Sequence, residues 1–450
     1  MRLTSTLLAS LMLLLAVGST SAKELPNIVV FLSDDHTLTD SSLYGSTDLQ
    51  TPNMERVAKA GMTFDRAFVA SPSCAPSRAA LLTGLMPARN GAEPNHSRPR
   101  PEIKKLPAYF QELGYEVVSF GKVGHYKQTP EYGFDIARHF TYHDDVAVPE
   151  ALKWLKSRES DKPLVLFVGT NWPHVPWPNP EDIDPESIQI PLTHVHTPKT
   201  RAARARYYQA VKTMDRELGE VYDLAYEKLG QDTLFLHTSD HGAQWPFGKW
   251  TLYDDGIRTP MIAVWPGHIE PGTRTDAMVS WVDILPTLYA ATGQSPPEEL
   301  DGKSFLPVLT GKTESHRDAI FTTHSGDGNN NVYPTRSVRT GRFKYIRNLH
   351  PEFKFLSHVT NVRKEHAYWP SWEHKAENVK EAARKVNRYL QRPAEELYDL
   401  DADPTEQTNL AADPKHAETL KQLSGKLDTW MSEQGDQQKI YGKPTLLDQP

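Results

Sequence analysis

The sequence contains one cysteine, Cys74, in 450 residues. A single cysteine cannot form a disulfide within its own chain, so its sulfur is left for packing, covalent modification or catalysis. For an arbitrary lone cysteine the commonest role is structural, because free cysteine is among the most buried residue types. Only the residues around it can decide between these roles.

Long apolar runs are missing beyond the N-terminus, where no stretch approaches the length of about 18 residues that a membrane-spanning helix needs. The first residues do contain an apolar run, Leu7 to Val17, which follows Arg2 and precedes small residues ending at Ala22. This order is typical of a secretory signal peptide. We therefore predict a signal peptide over residues 1–22 and an exported protein, periplasmic or extracellular, without a membrane span.

An excess of basic charge is also absent, since the formal net charge is −7. A protein that binds nucleic acid through its general surface is usually strongly basic, so no nucleic-acid partner is expected. An anionic substrate would have to be met by a few local cations.

Four apolar runs have the length of strands, and each leads directly into polar residues: Asn27 to Ser33, Glu116 to Phe120, Leu164 to Thr170 and Thr233 to Ser239. Continuous apolar runs are typical of strands buried on both faces of a mostly parallel sheet. Ala202 to Leu229 shows the periodicity of a long amphipathic helix. These patterns predict an α/β fold, a large sheet flanked by helices, with ligands bound beyond the carboxyl ends of the strands.

A polar stretch, Gly326 to Asn331, separates two predicted parts of the chain. We predict a catalytic domain over residues 23–330 and a C-terminal subdomain over residues 331–450. In the latter, Arg336 to Val338 and Phe343 to Arg347 alternate like strands of a short antiparallel sheet, and Pro414 to Gln434 is expected to be helical. The subdomain is therefore predicted to be α+β.

Three further local predictions follow from pattern alone. Thr63 to Val69 is expected to form one strand, and Val279 to Gly293 a helix interrupted at Pro286. The basic and aromatic segment Trp369 to Tyr389 is expected to be a solvated helix, with a substrate-lining role as the alternative.

Cys74 lies in the segment SPSCAPSRAALLTG, residues 71–84. Pro76 suits the first turn of a helix, the following alanines and leucines continue it, and Gly84 ends it. A helix N-terminus favours an anion or a reactive sulfur, and Arg78 adds a permanent cation one turn later. The local chemistry is that of an anion-handling nucleophile, with a buried structural cysteine as the alternative.

The order Cys74-Ala75-Pro76-Ser77-Arg78 followed by LLTG resembles the signature of the type I sulfatases, in the alkaline phosphatase superfamily. The resemblance implies an alkaline-phosphatase-like fold, with a large mixed sheet flanked by helices. It implies conversion of the cysteine to formylglycine, whose hydrate is the nucleophile. It also implies a maturation partner, a formylglycine-generating or anaerobic sulfatase-maturing enzyme. Arg78 would orient the modified residue.

The same resemblance implies a metal site made by Asp34, Asp35, residue 74, Asp240 and His241. Adjacent carboxylates after a strand repel each other unless a cation lies between them, and Ca²⁺ prefers such oxygen ligands. The family more often has asparagine where this chain has His241. Because imidazole is a softer ligand, this departure puts the identity of the metal, and coordination by His241, in doubt.

Four further residues resemble the catalytic set of the family: Lys122, His125, His174 and Lys249. The resemblance implies that the lysines bind sulfate, that His174 in Pro-His-Val-Pro protonates the leaving oxygen, and that His125 deprotonates the hydrate. The commoner spacing has one residue between Lys122 and His125, whereas two stand here. A histidine packed against neighbouring tryptophans is the alternative for His174.

These residues together predict a sulfatase acting on a sulfated carbohydrate, from a glycosaminoglycan or an algal polysaccharide. One alternative is a phosphodiester or phosphonate monoester hydrolase of the same superfamily, which shares the nucleophile and the metal site. Another is a non-catalytic protein that binds sulfated glycan. Several tryptophans could stack on sugar rings, although a core role is expected for each one alone: Trp172, Trp177, Trp245, Trp250, Trp369 and Trp372.

Overall fold

The computed structural model describes residues 25–140, 146–360 and 368–448, so the predicted signal peptide lies outside the described residues. The strands within these ranges are β1 (Asn27–Ser33), β2 (Met62–Phe64), β3 (Ala67–Phe68), β4 (Glu116–Gly121), β5 (Ile136–Arg138), β6 (Leu164–Gly169), β7 (Thr233–Ser239), β8 (Met261–Val264), β9 (Thr273–Thr275), β10 (Val279–Ser280), β11 (Ile320–His324), β12 (Thr335–Arg339), β13 (Phe343–Asn348) and β14 (Glu395–Asp399). The α-helices are α1 (Pro52–Lys59), α2 (Cys74–Thr83), α3 (Pro87–Asn90), α4 (Leu106–Gln111), α5 (Ala147–Lys156), α6 (Pro198–Leu229), α7 (Asp254–Ile257), α8 (Ile284–Ala291), α9 (Leu306–Leu309), α10 (Tyr368–Ala376), α11 (Lys380–Leu390) and α12 (Ala417–Gln434).

An eight-stranded sheet forms the centre of the fold, in the order β5-β4-β6-β1-β7-β8-β2-β9. The first five of these strands run parallel, with Ile28 of β1 opposite Val165 of β6 and Leu234 of β7. All of β1 after Asn27 is buried, as are all of β6 and β7. The predicted α/β fold with a large mixed sheet is confirmed, because runs this apolar are stable only when covered on both faces.

Two groups of helices flank this sheet. One contains α1, α5 and α6, and the other contains α2, α4 and α8. The 32-residue helix α6 begins at Pro198 after the N-cap Thr197, whose side chain accepts a hydrogen bond from the Thr200 N–H. The face predicted from its periodicity is buried: Tyr208, Val211, Met214, Leu218, Val221 and Ala225. None of the described helices combines the length and the apolar character needed to cross a bilayer.

A second, antiparallel sheet has the order β11-β12-β13-β14 and packs against α12. Its register pairs Ser337 with both Thr322 and Ile346. The predicted C-terminal antiparallel sheet is therefore confirmed. The sheet also includes β11, so the boundary predicted after residue 330 falls between its first and second strands; the division into two domains stays a prediction.

Three local predictions were wrong. Thr63 to Val69 is not one strand, because β2 pairs with β8 and β9 while β3 pairs with β10 in a separate two-stranded sheet. Val279 to Gly293 is not an interrupted helix. It begins with β10, passes through a short 3₁₀ turn, and continues as α8, in which Pro286 occupies the first turn. Proline is tolerated there because the first N–H groups of a helix have no partner within the helix.

The segment Trp369 to Tyr389 was also mispredicted, since it forms two helices rather than one solvated helix. Trp369 and Trp372 are buried, and α10 packs against α6. The indole N–H of Trp372 donates to Thr200 Oγ1 at 2.7 Å. Most charged residues of this segment face solvent, but Lys385 is buried and donates to the His194 carbonyl oxygen, and the two tryptophans join the core.

Candidate active site

Four neighbouring parallel strands end at one edge of the main sheet, where the predicted site residues follow them. Asp34 and Asp35 come after β1, Lys122 after β4, His174 after β6, and Asp240 with His241 after β7. Parallel strands bring their carboxyl ends to the same edge, so segments distant in sequence meet there. This topology creates the site.

Cys74 is the first residue of α2, with Ser73 at the N-cap and Gly84, in a left-handed conformation, at the C-cap. The predicted helix start is confirmed. The thiol is buried, and its Sγ lies 3.2 Å from His241 Nε2 and 3.5 Å from Lys122 Nζ. Burial raises the pKa of the Cys74 thiol, although Lys122 and Lys249 act to lower it. The sulfur therefore lies in a polar, cation-lined pocket rather than in an apolar core.

Arg78 is buried one turn into α2 and joins the ends of three strands. Its Nε donates to Asp240 Oδ2 at 2.9 Å, and its NH2 lies 3.4 Å from Asp34 Oδ1. Its NH1 donates to the Lys122 carbonyl oxygen. The guanidinium thus holds the carboxyl ends of β1, β4 and β7 in a fixed relation, which its planar set of donors suits.

Each predicted sulfate-binding lysine is paired with one aspartate. Lys122 Nζ lies 2.5 Å from Asp34 Oδ2, and Lys249 Nζ lies 2.8 Å from Asp35 Oδ1. Both lysines are buried, which alone would lower the pKa of each, but the carboxylates raise it above the usual value. Both ammonium groups are therefore cationic at the centre of the site.

Four buried residues can offer ligand atoms that all lie within 4.8 Å of one another: Asp34, Asp35, Cys74 and His241. Asp240, which was also predicted as a ligand, lies outside this group. Its Oδ1 accepts the Asp35 N–H at 3.1 Å and its Oδ2 faces Arg78, so in this arrangement it holds the site together. Asp35 itself has a left-handed backbone, with φ of 65°, which is uncommon outside glycine and typical of functional sites.

The three aspartates at this edge of the sheet differ in how strongly their surroundings favour the ionised form. Burial, opposed by Arg78 and reinforced by Asp34, raises the pKa of Asp240 to about 6. Burial, opposed by Lys249, also raises the pKa of Asp35. Asp34 differs, because Lys122, His174 and Arg78 overcome the effect of burial and lower its pKa well below the usual value. A further cation among these oxygens would relieve the remaining repulsion.

His241 has its Nδ1 within 3.0 Å of the Gly242 carbonyl oxygen, which places the ring proton on Nδ1 and leaves Nε2 as an acceptor beside Cys74. Burial lowers the pKa of His241, which favours the neutral ring that can bind a metal. The residue that departs from the commoner family pattern is therefore inside the cluster of possible ligands.

His174 is buried beside the same aspartates. Its Nδ1 lies 2.6 Å from the Val175 carbonyl oxygen, and its Nε2 lies 3.8 Å from Asp35 Oδ2. The hydrogen bond to the carbonyl fixes the ring so that Nε2 faces the site. The structure therefore places His174 with the other predicted site residues.

His125 is the predicted site residue whose polar contact lies away from the thiol. Its Nε2 is 2.7 Å from Nδ1 of His96, and its ring packs beside Tyr126. Tyr126 in turn has its hydroxyl 3.2 Å from Lys122 Nζ. The structure thus connects His125 to the site through neighbours of Lys122.

Sequence reasoning missed several residues around Cys74. Asn95 accepts the Ala75 N–H at 3.0 Å through Oδ1 and donates to Asp327 through Nδ2 at 3.1 Å. His96 and Tyr126 were missed as well. Asn95 and His96 lie in a turn and Tyr126 begins a short 3₁₀ helix (Tyr126–Tyr132), so no periodic pattern could have indicated them. The tryptophans considered for sugar stacking are buried, apart from the partly exposed Trp172.

The α/β fold, with a buried cysteine at a helix N-terminus beside lysine side chains, is typical of a hydrolase that acts on an anionic ester. Residues 26–294 match the family model described as Sulfatase, and residues 240–361 match the model described as N-sulphoglucosamine sulphohydrolase, C-terminal. The chain therefore belongs to the sulfatase family and is a sulfuric ester hydrolase.

Individual relatives agree with this assignment. An ulvan-active sulfatase of Formosa agariphila is 32% identical over 446 residues, covering 95% of this chain and 84% of the relative. The human N-sulphoglucosamine sulphohydrolase is 28% identical over 487 residues, covering 94% and 93%. Among solved structures, the phosphonate monoester hydrolase of Agrobacterium radiobacter superposes with a TM-score of 0.71 at 21% identity, covering 91% of this chain and 96% of that chain. This last similarity concerns the fold alone.

Proposed function

We propose that the protein is an exported sulfatase that hydrolyses sulfate esters of a sulfated carbohydrate, using formylglycine formed from Cys74 together with one divalent cation. The observation that carries the proposal is the position of Cys74 at the start of α2, with Lys122 Nζ 3.5 Å and His241 Nε2 3.2 Å from its sulfur. The relatives named for ulvan and for N-sulphoglucosamine support a sugar substrate, from an algal polysaccharide or a glycosaminoglycan.

The donor atoms present fit a divalent cation. Asp34, Asp35, His241 and residue 74 would hold it. Burial, reinforced by Asp34 and Asp240, raises the pKa of Asp35, and a cation would favour its ionised form. When bound, such an ion supplies positive charge to the nonbridging sulfate oxygens. The predominance of oxygen donors favours Ca²⁺, while His241 leaves room for another divalent ion.

Each of the other site residues has a separate role in the proposed hydrolysis. Residue 74, as the aldehyde hydrate, provides the attacking oxygen, and Lys122 and Lys249 bind the nonbridging oxygens of the sulfate. His174, whose Nδ1 is held by the Val175 carbonyl, carries on Nε2 the proton that the leaving alcohol needs. His125 takes a proton from the second hydroxyl of the hydrate as sulfate departs.

Maturation and export complete the proposal. Formylglycine at position 74 would be made by a formylglycine-generating or anaerobic sulfatase-maturing enzyme. Export would follow from the predicted signal peptide over residues 1–22. N-terminal sequencing of protein recovered from the periplasm or the medium should then show that the mature chain begins after Ala22.

The experiment that tests this function compares protein produced with and without the maturing enzyme. Mass spectrometry of the tryptic peptide 67–78 distinguishes the aldehyde from the thiol, and sulfate release is measured from an aryl sulfate and from defined sulfated oligosaccharides. Activity should follow the aldehyde content and be absent in Cys74→Ala. Full activity of a protein whose residue 74 remains a thiol would refute the proposal.

Two further comparisons complete the test. Chelation of divalent ions should abolish sulfate release, and the ion that restores it best identifies the metal. The fold similarity to a phosphonate monoester hydrolase keeps one alternative open, so rates on aryl sulfate, aryl phosphate and aryl phosphonate esters should be measured in parallel. Faster turnover of either phosphorus ester would favour the alternative.

A further inference from the structure

Three side chains form a continuous polar chain between the active site and solvent. Nε2 of the buried His125 lies 2.7 Å from Nδ1 of His96, and the two ring centroids are 4.7 Å apart. On its other side, His96 Nε2 lies 3.0 Å from Oδ1 of the buried Asp327. The His96 side chain is 59% exposed, so this chain joins a buried ring to water.

Side chains from three separate loops contact the Asp327 carboxylate. Its Oδ2 accepts the indole N–H of Trp250, the residue after Lys249, at 2.7 Å, and it also accepts from Asn95 Nδ2 at 3.1 Å. Nε2 of His358 lies 3.4 Å from the same oxygen. Burial would raise the pKa of Asp327, but His358 and His96 lower it well below the usual value. The carboxylate is thus an anion whose Oδ1 lies 3.0 Å from His96 Nε2, a close ion-pair contact without the angle of a hydrogen bond in the described structure.

The anion determines where the protons of the two rings lie. A carboxylate beside His96 Nε2 favours a proton on that nitrogen, so in the singly protonated ring Nδ1 is an acceptor. His125 then donates its Nε2–H to His96, and His125 Nδ1 keeps its lone pair. That nitrogen is buried and has no hydrogen-bond partner among the described residues. Burial, reinforced by Lys122 and His96, lowers the pKa of His125 well below its usual value, so this nitrogen holds a proton only transiently and passes it on.

The backbone at His96 and at Tyr126 adopts a conformation that residues other than glycine rarely adopt. His96 has φ of 67°, and Tyr126, which follows His125, has φ of 51°. Left-handed backbone is uncommon for residues other than glycine and costs energy unless the surroundings enforce it.

Sulfate ester hydrolysis needs an exit for protons, because it converts a monoester anion and water into an alcohol, a sulfate dianion and one proton near neutral pH. We propose that Asp327, His96 and His125 form a relay that carries this proton to solvent. The relay rests on the proposed function, in which His125 accepts a proton from the hydrate.

The proton moves from His125 to His96 and then to solvent. As His125 Nδ1 accepts a proton, its Nε2–H bond breaks and that proton bonds to His96 Nδ1. His96 becomes an imidazolium ion paired with the Asp327 carboxylate, and it then loses a proton to water or buffer. Rotation of the His125 ring, or proton exchange with water, restores the starting tautomer.

The test uses matured holoenzyme, an aryl sulfate and two variants of the exposed His96. In His96→Ala we expect kcat to fall by about tenfold or more, since positioned proton acceptors contribute at least this much. KM should be unchanged, and added imidazole should restore kcat in a concentration-dependent way. His96→Gln keeps an acceptor for His125 Nε2–H but cannot carry a proton, so its kcat should be equally low.

The control is His374→Ala, because the His374 side chain is 82% exposed and pairs with Glu377, away from all three members of the relay. It should keep the wild-type kcat and show no response to imidazole. Near wild-type kcat in His96→Gln would reduce His96 to a positioning residue and overturn the relay. A rise in KM without imidazole rescue in His96→Ala would assign it to substrate binding and likewise overturn the relay. If the wild-type enzyme itself releases no sulfate, the proposed function fails independently of His96.

Discussion

Arg78 and Asp240 form a buried ion pair in which Nε and NH2 of the guanidinium each lie 2.9 Å from Oδ2 of the carboxylate. Asp240 Oδ1 accepts the Asp35 N–H, and the Ser77 hydroxyl donates to the Asp240 carbonyl oxygen at 2.7 Å. This pair therefore fixes the start of α2 against the carboxyl ends of β1 and β7. The position of residue 74 depends on it.

Arg78→Lys should keep the charge and lose the geometry, because an ammonium group cannot reach Asp240, Asp34 and the Lys122 carbonyl together. We expect Arg78→Lys to lose sulfatase activity by about 100-fold or more. Arg78→Ala should lose activity as well, and its free energy of unfolding should fall by about 3–5 kcal/mol, because it leaves a buried carboxylate without its partner. Kinetics and chemical denaturation measure these effects, and the mass of the peptide containing residue 74 separates failed maturation from lost geometry. Arg98→Lys, in an exposed pair with Glu131, is the control and should change neither quantity. Unaltered activity of matured Arg78→Lys would contradict this role.

His174→Ala should affect substrates according to their leaving groups. A sugar alkoxide needs a proton to depart, whereas a nitrophenolate does not, so kcat/KM should fall about 100-fold or more for a sulfated sugar and much less for the activated aryl sulfate. His374→Ala, at a side chain that is 82% exposed, provides the matched control. Equal losses on both substrates would show that His174 is not the acid.

The sequence predicted those features that depend on local pattern. β1 and β7 have the predicted bounds because each is a continuous apolar run ended by polar residues, and α2 starts at Cys74 because proline and glycine define its ends. The signature around Cys74 also indicated which loops after the strands would meet. The roles assigned to the individual site residues stay predictions.

Features that depend on distant partners could not be predicted. β2 and β3 are split because their partners β8, β9 and β10 come about 200 residues later in the chain. The contact of His96 with Asp327 likewise joins two loops far apart in sequence, neither of which has a periodic pattern. The burial of Trp372 depends on Thr200 of α6, which composition alone does not reveal.

Gly169 at the end of β6 lies against the backbone of Lys122. A Cβ at this position would lie 2.3 Å from the Lys122 carbonyl oxygen, so a larger residue must displace the segment that carries Lys122, for which we propose sulfate binding, and the carbonyl acceptor of Arg78. Gly169→Ala should therefore lower kcat/KM for an aryl sulfate by about tenfold or more. Gly425→Ala is the control, since a Cβ there meets no atom within 4 Å and alanine favours the exposed helix α12. Wild-type kinetics in Gly169→Ala would show that Lys122 does not require this close approach.

Asp283 is the buried acceptor that joins α8 to the loop after it. It accepts the backbone N–H groups of Ser280 and Lys303 at 2.9 and 2.8 Å, and Arg317 Nε donates to it at 2.7 Å, with His316 Nε2 3.1 Å away. Burial would raise the pKa of Asp283, but Arg317 and His316 lower it from 3.8 to about 2. The folded protein thus stabilises the ionised form.

Since the folded-state pKa of Asp283 lies below its ordinary value, the stability that its ionised form contributes is present above that value and is lost as the pH falls. Between about pH 5 and about pH 2 the unfolded chain binds the proton first, so the free energy of unfolding should fall by about 2 kcal/mol through this residue alone. Asp283→Asn should lower stability at neutral pH and show a correspondingly shallower decline in acid, measured by denaturant unfolding across this range. Asp182→Asn, which breaks an exposed pair with Lys212, should follow the wild-type profile. If Asp283→Asn and wild type decline in parallel, the carboxylate of Asp283 is not ionised preferentially in the folded protein.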